Sequence, residues 1–219
     1  VHTYFTHFFP KFARKASRIA TVSEFSKNDI AQTYKKKKKK IDVVYNGCNE
    51  SFKPVNDIIR RETKSKFSAG ADYFLFVGAL HPRKNISRLF QAFDAFKSRQ
   101  PNPVKLVIVG EKYYWTREIK HTYIGMKFKD DVVFTGRLST NDLRNVIASA
   151  LAMTYIPYFE GFGIPILEAM NCDVPVITSN VTSMPEVAAG AALTIDPFSI
   201  DAIAGAMQEL YTDDKLRLR

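Results

Sequence analysis

Two carboxylates, Glu160 and Glu168, stand eight residues apart in the stretch YFEGFGIPILEAMN, residues 158–171. Gly161 and Gly163 lie between them, and Pro165 sits where a helix should start. Glycine lets backbone approach a ligand closely, and proline is tolerated in the first turn of a helix, where its missing N–H leaves no bond unmade. A helix N-terminus offers free N–H groups and the positive end of the dipole, which together seat a phosphate. A carboxylate on either side of that seat can accept hydrogen bonds from hydroxyls. A sugar nucleotide carries hydroxyls on both sides of its diphosphate. The plainer reading is a strand–loop–helix turn whose glutamates face solvent. The register of two carboxylates, two glycines and a helix-starting proline favours the ligand-binding reading.

Two further segments offer polar or glycine-rich strand ends. The first is GALHPRKN, from Gly78 to Asn85, where Arg83 and Lys84 could neutralise a diphosphate, lysine as a point charge and arginine as a planar fork. Adjacent cations at a helix start oppose the helix dipole, a placement that favours an anion nearby over a solvated first turn. The second is TGRLS, where Arg137 and Leu138 follow Gly136 and where Ser139 or Thr140 could equally be a plain helix cap.

The elements that must position these residues follow from hydrophobic periodicity. YFLFVGA, VKLVIVG, VVFTG, AMTYIP, PVITS and AALTID read as short buried strands. Helical segments are predicted at 85–99, about 115–126, 140–150, 164–171 and 199–211. Ile86, Leu89, Phe90, Phe93 and Phe96 share one helical stripe and should be core. Strands alternating with helices predict an α/β fold, a Rossmann-like parallel sheet with helices on both faces. Ligands of such sheets bind beyond the carboxyl ends of the strands, where all three polar segments fall. Upstream, strands at 17–23 and 41–45 flank a short helix capped by Ser23 or Ser26 and running to Tyr34.

The 219 residues are 46% hydrophobic and 25% charged, ordinary for a globular chain, and no apolar run is long enough for a membrane-spanning helix. The net charge of +10 is uneven: residues 1–70 hold 16 basic and 6 acidic side chains, residues 71–219 hold 16 of each. That split speaks for two pieces rather than a uniformly basic nucleic-acid binder. The six lysines from Lys35 to Lys40 could meet the anionic face of a membrane or form a solvated basic turn at a helix end; both readings stay open. Without interleaved aromatics, they do not point to nucleic acid. Cys48 and Cys172 match no metal spacing and are expected as free thiols in a reducing cytoplasm. No metal or cofactor is called for by any His/Asp/Glu spacing.

The segment around Glu160 and Glu168 resembles the Glu-x7-Glu motif of retaining glycosyltransferases of the GT-B fold, in the large group 1 or family 4 class. IATVSEFSKNDI, VVYNGCNESFKP, FLFVGALHPRKNISRLFQAF, VVFTGRLSTNDL and PVITSNVTSMPEVAAGAALTIDP are similar to blocks of that family in the family's order. The PRKN block is most similar to mannosyltransferase-like members that build surface polysaccharides.

The resemblance implies that residues 51–219 are the nucleotide-sugar-binding half of a GT-B fold, shortened at its C-terminus. It implies that residues 1–50 are the end of an N-terminal acceptor domain whose larger part is missing. By resemblance Glu160 contacts hydroxyls of the donor sugar, Gly161 and the amides of Phe162, Gly163 and Ile164 lie against sugar and phosphate, and Glu168 takes the ribose. Lys84 corresponds to the family's phosphate lysine. Ala79 stands where many relatives have an arginine, and Arg83 is the candidate to supply that guanidinium. Gly78, Arg137 and Leu138 would line the nucleotide pocket.

The implied reaction is hexose transfer, GDP-mannose being the favoured donor, to a glycan or lipid-linked acceptor with retention and without a metal. The implied setting is the cytoplasm, with docking at the inner membrane face through the lysine run. Two rivals remain at this stage. One is a non-catalytic nucleotide-binding module; the other is a glycoside hydrolase, whose carboxylate pair would not need a phosphate seat.

Overall fold

Six parallel strands in the order β5-β4-β3-β6-β7-β8 form the sheet that carries the polar segments. The structure is a computed structural model and describes residues 2–99 and 103–218. The chain divides into two compact units, residues 1–47 and residues 48–219.

In the first unit, α1 (His2–Lys15) precedes β1 (Ile19–Thr21), α2 (Glu24–Thr33) and β2 (Ile41–Val43). The two strands pair in parallel, Ile19 opposite Ile41. Ser23 caps α2 by accepting a hydrogen bond from the Ser26 N–H at 3.0 Å. The lysine run is not uniform. Lys36 Nζ donates to the carbonyls of Ala13 and Ala16 at 2.8 and 2.6 Å, so it satisfies the orphan acceptors at the end of α1. Lys38–Lys40 form a 3-10 turn, and Lys35 and lysines 37–40 are exposed.

The second unit opens with α3 (Asp57–Ser68), which periodicity did not predict. Its buried face is Thr63 and Ser68, so no apolar stripe marks it. Then come β3 (Tyr73–Val77), α4 (Ile86–Arg99), β4 (Lys105–Val109), α5 (Arg117–Ile124), β5 (Val132–Gly136) and α6 (Thr140–Ala148). They are followed by β6 (Ala152–Tyr155), α7 (Ile164–Asn171), β7 (Val176–Ser179), α8 (Met184–Ala188), β8 (Leu193–Ile195), α9 (Ile200–Thr212) and α10 (Asp214–Arg217). The six predicted strands are all present, and the predicted helix stripe of α4 is fully buried.

From β3 the chain moves outward through β4 to β5, then crosses to β6 and moves the other way to β8. Right-handed crossovers therefore place α4 and α5 on one face and α7 and α8 on the other. The helix neighbours agree: α4 lies against α5 and α9, while α6 lies against α3 and α7. Strand order reverses between β3 and β6, and at such a switch the loops leaving neighbouring strands diverge to opposite faces and open a crevice. The loops carrying Arg83, Lys84 and Glu160 leave β3 and β6.

Candidate nucleotide-sugar site

Lys84 and Glu160 meet at the switch point. Lys84 Nζ donates to Glu160 Oε2 and to the Tyr155 hydroxyl. Arg83 Nη1 reaches the same carboxylate oxygen at 2.6 Å and the Phe159 carbonyl at 3.4 Å. The Tyr155 hydroxyl donates to Glu160 Oε2 at 3.0 Å, and the Gly161 N–H to Glu160 Oε1 at 3.2 Å. The Lys84 and Glu160 side chains are 11% and 16% exposed, while Arg83 keeps 40% and faces outward.

The local backbone explains how two cations converge there. Pro82–Lys84 form a 3-10 turn capped by His81, whose Nδ1 accepts from the Arg83 N–H at 3.2 Å. Asn85 then takes a left-handed conformation with φ 64°, and α4 begins only at Ile86. The basic pair therefore lies beside the helix start, as expected, but α4 begins one residue later than the predicted 85, because proline opens a separate turn and the left-handed Asn85 breaks it from the helix. Asn85 is locked by its amide, which donates to the Pro197 carbonyl at 2.6 Å. The Tyr158 N–H donates to the Arg83 carbonyl at 3.1 Å, which ties the two loops together.

Gly163 precedes α7 with φ 102°, and a Cβ there would lie 2.8 Å from Met184 Cε. That conformation disfavours any side chain, and a Cβ would in addition have to push the Met184 methyl aside. Pro165 is in the first turn of α7, as expected, and Ile164, its first residue, is 43% exposed. Phe162 is buried, and its carbonyl and that of Glu160 accept from Ser183 Oγ at 3.4 and 2.9 Å. Ser179 Oγ holds the Pro157 carbonyl at 2.6 Å. The loop between β6 and α7 is therefore bound to the β7–α8 segment by buried hydroxyls.

Glu168 is half-buried on α7, and among the described residues no hydrogen bond or ion pair reaches its carboxylate. Burial pushes its pKa up. Glu160 is different. Burial alone would raise it, but Lys84 and Arg83 outweigh that and hold its pKa below the usual range. Burial lowers the Lys84 pKa despite the carboxylate beside it. The Tyr155 phenol is pushed well up by burial and then by Glu160, with a smaller push from Glu168. Tyr155 is thereby kept neutral between an ammonium and a carboxylate.

Gly78 lies at the end of β3, its N–H donating to the Val109 carbonyl at 2.9 Å. Gly110 follows β4, and its N–H donates to the Gly136 carbonyl at 3.0 Å. A Cβ on Gly110 would overlap the carbonyl oxygen of Gly78. Three glycines thus line the adjacent ends of β3, β4 and β5. Arg137 is exposed beyond β5, with Leu138 half-buried beside it. No hydrogen bond or ion pair of the described residues joins either to the Lys84–Glu160 cluster. With β5 three strands from β6 at about 4.8 Å each, they stand roughly 14 Å away, within the span of an elongated ligand.

Tyr155, Ser179, Ser183 and Gly110 were not singled out by sequence reasoning. Tyr155 reads as one more aromatic of a buried strand, and a buried serine has no periodic signature. The only available signal for Gly110 was its place after a strand, shared with Gly78 and Gly136. Among the described residues no three His, Cys, Asp or Glu side chains are grouped to hold a metal ion, and no helix is long and apolar enough to cross a membrane.

A family model described as glycosyl transferases group 1 matches residues 57–219. The O-antigen chain mannosyltransferase B of Escherichia coli is 32% identical over 204 residues, covering 92% of this chain and 53% of that protein. The O-antigen chain mannosyltransferase RfbU of Salmonella typhimurium is 32% identical over 194 residues, 89% of this chain and 51% of that protein. The chain therefore spans about half the length of these curated relatives. Among solved structures, Anabaena Alr3699/HepE in complex with UDP and glucose superposes with a TM-score of 0.82 at 19% identity, covering 94% of this chain and 57% of that one. WaaG, a glycosyltransferase involved in lipopolysaccharide biosynthesis, gives 0.76 at 20% identity, covering 92% and 55%. These two likenesses establish the fold, that of GT-B glycosyltransferases.

Proposed function

The chain belongs to the group 1 glycosyltransferases, and from that premise we propose that the protein transfers a hexose from a nucleotide-sugar to a glycan or lipid-linked acceptor with retention at the anomeric carbon. GDP-mannose is the favoured donor, supported by the mannosyltransferase relatives and the PRKN block. The observation that carries the reading is the contact of Lys84 and Arg83 with Glu160 at the switch point of the sheet. In the free protein one carboxylate is shared by two cations, which leaves the cluster with a net positive charge. When the donor enters, its diphosphate takes over those cations, and Glu160 is released to accept hydrogen bonds from the sugar hydroxyls.

Chemistry then rests on electrostatic support of the departing diphosphate by Lys84, Arg83 and the amides of Gly163 and Ile164, with no divalent metal. Each charge-assisted hydrogen bond contributes about 1.5–3 kcal/mol. Glu168, half-buried and without a hydrogen bond or ion pair among the described residues, takes the ribose hydroxyls, and Gly78, Arg137 and Leu138 line the base end. The exposed lysines at 35 and 37–40 are assigned to the anionic face of a membrane, the cytoplasmic leaflet, where a lipid-linked acceptor would be met. Sedimentation with vesicles of neutral and of anionic lipid tests that contact.

Thermal shift against UDP, GDP, ADP and their hexose conjugates tests the donor assignment. The expected result is stabilisation by GDP and GDP-mannose in the absence of metal. Stabilisation by none of the nucleotides would remove the reading.

A further inference from the structure

Beside the Pro82–Lys84 turn, on the face of the sheet covered by α4 and α5, lies a cavity of about 250 Å3 that the donor site does not use. Its walls include Ser87 and Arg88 from the first turn of α4, Glu118 from α5, and the rings of Tyr158 and Phe198. We propose that this cavity binds a neutral hexopyranose, one sugar unit of the acceptor glycan.

The aromatic wall is a built platform. Phe198 is 57% exposed, yet its backbone is pinned: its N–H donates to Asp196 Oδ1 at 2.8 Å, and the preceding Pro197 carbonyl accepts from Asn85 at 2.6 Å. Tyr158 stacks against it with centroids 6.2 Å apart and planes at 27°. The Arg88 guanidinium lies 5.2 Å from the Phe198 ring centre, steadied by a 3.2 Å bond from Nη1 to Asn85 Oδ1. Phe198, exposed and backed by the half-buried Tyr158, has the flat, polarisable ring that the C–H side of a pyranose covers.

The polar wall selects the charge of the ligand. Arg88 and Glu118 line the same cavity but form no ion pair with each other. The hydroxyls of Ser87 and Tyr158 and the carboxylate of Glu118 make no hydrogen bond among the described residues. An anion would meet Glu118, a cation would meet Arg88, and an apolar group would leave all of them unpaired. A neutral polyol offers acceptors to the guanidinium and donors to the carboxylate at once. At about 30 Å3 per water the space holds roughly eight waters, enough for one sugar ring.

The position suits an acceptor. Tyr158 is bonded through its N–H to the Arg83 carbonyl, so the platform is joined to the loop that carries the cations. The identification of the sugar as the acceptor's rests on the transferase reading above.

Amide-resolved NMR titration of this chain with methyl α-D-mannopyranoside, with and without GDP, tests the site. The expected shifts fall at Ser87, Ile119 and Phe198 and persist when GDP is saturating. Phe198→Ala and Arg88→Met should each weaken the glycoside at least tenfold while the Kd for GDP stays unchanged, which also shows that the variants are folded. No shift up to the solubility limit, shifts confined to the Glu160 loop, or shifts that survive in both variants would overturn the proposal. Glycoside binding here without binding of any nucleotide would sink the transferase reading and leave the site. Nucleotide binding without the glycoside would do the reverse.

Discussion

Lys84 and Glu160, 76 residues apart in the chain, share a direct ion pair at the one place where the strand order of the sheet reverses. Neither residue could hold its charge there alone. Each is almost enclosed, and an ionised group without a partner in such a setting costs several kcal/mol. Tyr155 completes the arrangement by accepting from the ammonium and donating to the carboxylate. The free protein therefore stores a preformed pair of cations without a bound anion.

Removing that hydroxyl leaves both charges short of a hydrogen bond. Tyr155→Phe should lower stability by about 1–3 kcal/mol, and so lower Tm by several degrees for a chain of this size. The ring stacking with Phe76, at 6.2 Å and 18°, survives in that variant. Thermal melts of the two proteins measure the hydroxyl's contribution alone. An unchanged Tm would mean that water replaces it freely.

Glu168 gives a pH signature. Its folded pKa is raised by burial above the ordinary glutamate value of 4.5. The folded state then binds the proton more tightly than the unfolded one, so this residue's contribution to stability declines as pH rises through the window from 4.5 to the raised value. Glu168→Gln should therefore be more stable than the wild type at neutral pH. The difference should close below about pH 4, where both forms are neutral. Melts from pH 3.5 to 7.5 check this; a Tm gap that does not change with pH would contradict it. The same variant should bind nucleoside diphosphate more weakly, because an amide is a poorer acceptor for ribose hydroxyls.

Gly110 tests the row of glycines. A methyl group there meets the Gly78 carbonyl, and its φ of 144° disfavours any side chain. Gly110→Ala should cost at least ~2 kcal/mol and weaken nucleotide binding by displacing the end of β3. Chemical denaturation together with a GDP titration reads both effects. Full retention of both would show that the strand ends can yield.

Much of this is legible in the sequence. Short β-branched strands alternating with amphipathic helices marked the parallel sheet, because strands buried on both faces read as continuous apolar runs and helices buried on one face read as stripes. That Glu160 and Lys84 fall at strand ends facing one cleft was legible, since a carboxylate motif and a basic pair each follow a strand; their direct ion pair was not. What escaped were features without periodicity. α3 buries threonine and serine in place of an apolar stripe, and the basic residues before α4 form a 3-10 turn of their own that ends at the left-handed Asn85, read from the sequence as the first helical residue. Tyr155 looked like core because its ring is core and only its oxygen belongs to the site. Lys36 reads as one of six equivalent lysines until the carbonyls at the end of α1 single it out.

The most direct test of the central claim is calorimetry of GDP and GDP-mannose on the wild type, Lys84→Ala and Glu160→Ala. If the diphosphate replaces Glu160 as the partner of the two cations, Lys84→Ala should weaken both ligands by about 1.5–3 kcal/mol, roughly ten- to a hundredfold in Kd. Glu160→Ala should bind GDP at least as tightly as the wild type, because no carboxylate competes for Lys84 and Arg83, and should bind GDP-mannose less tightly than GDP. Loss of GDP affinity in Glu160→Ala equal to that in Lys84→Ala would contradict the account.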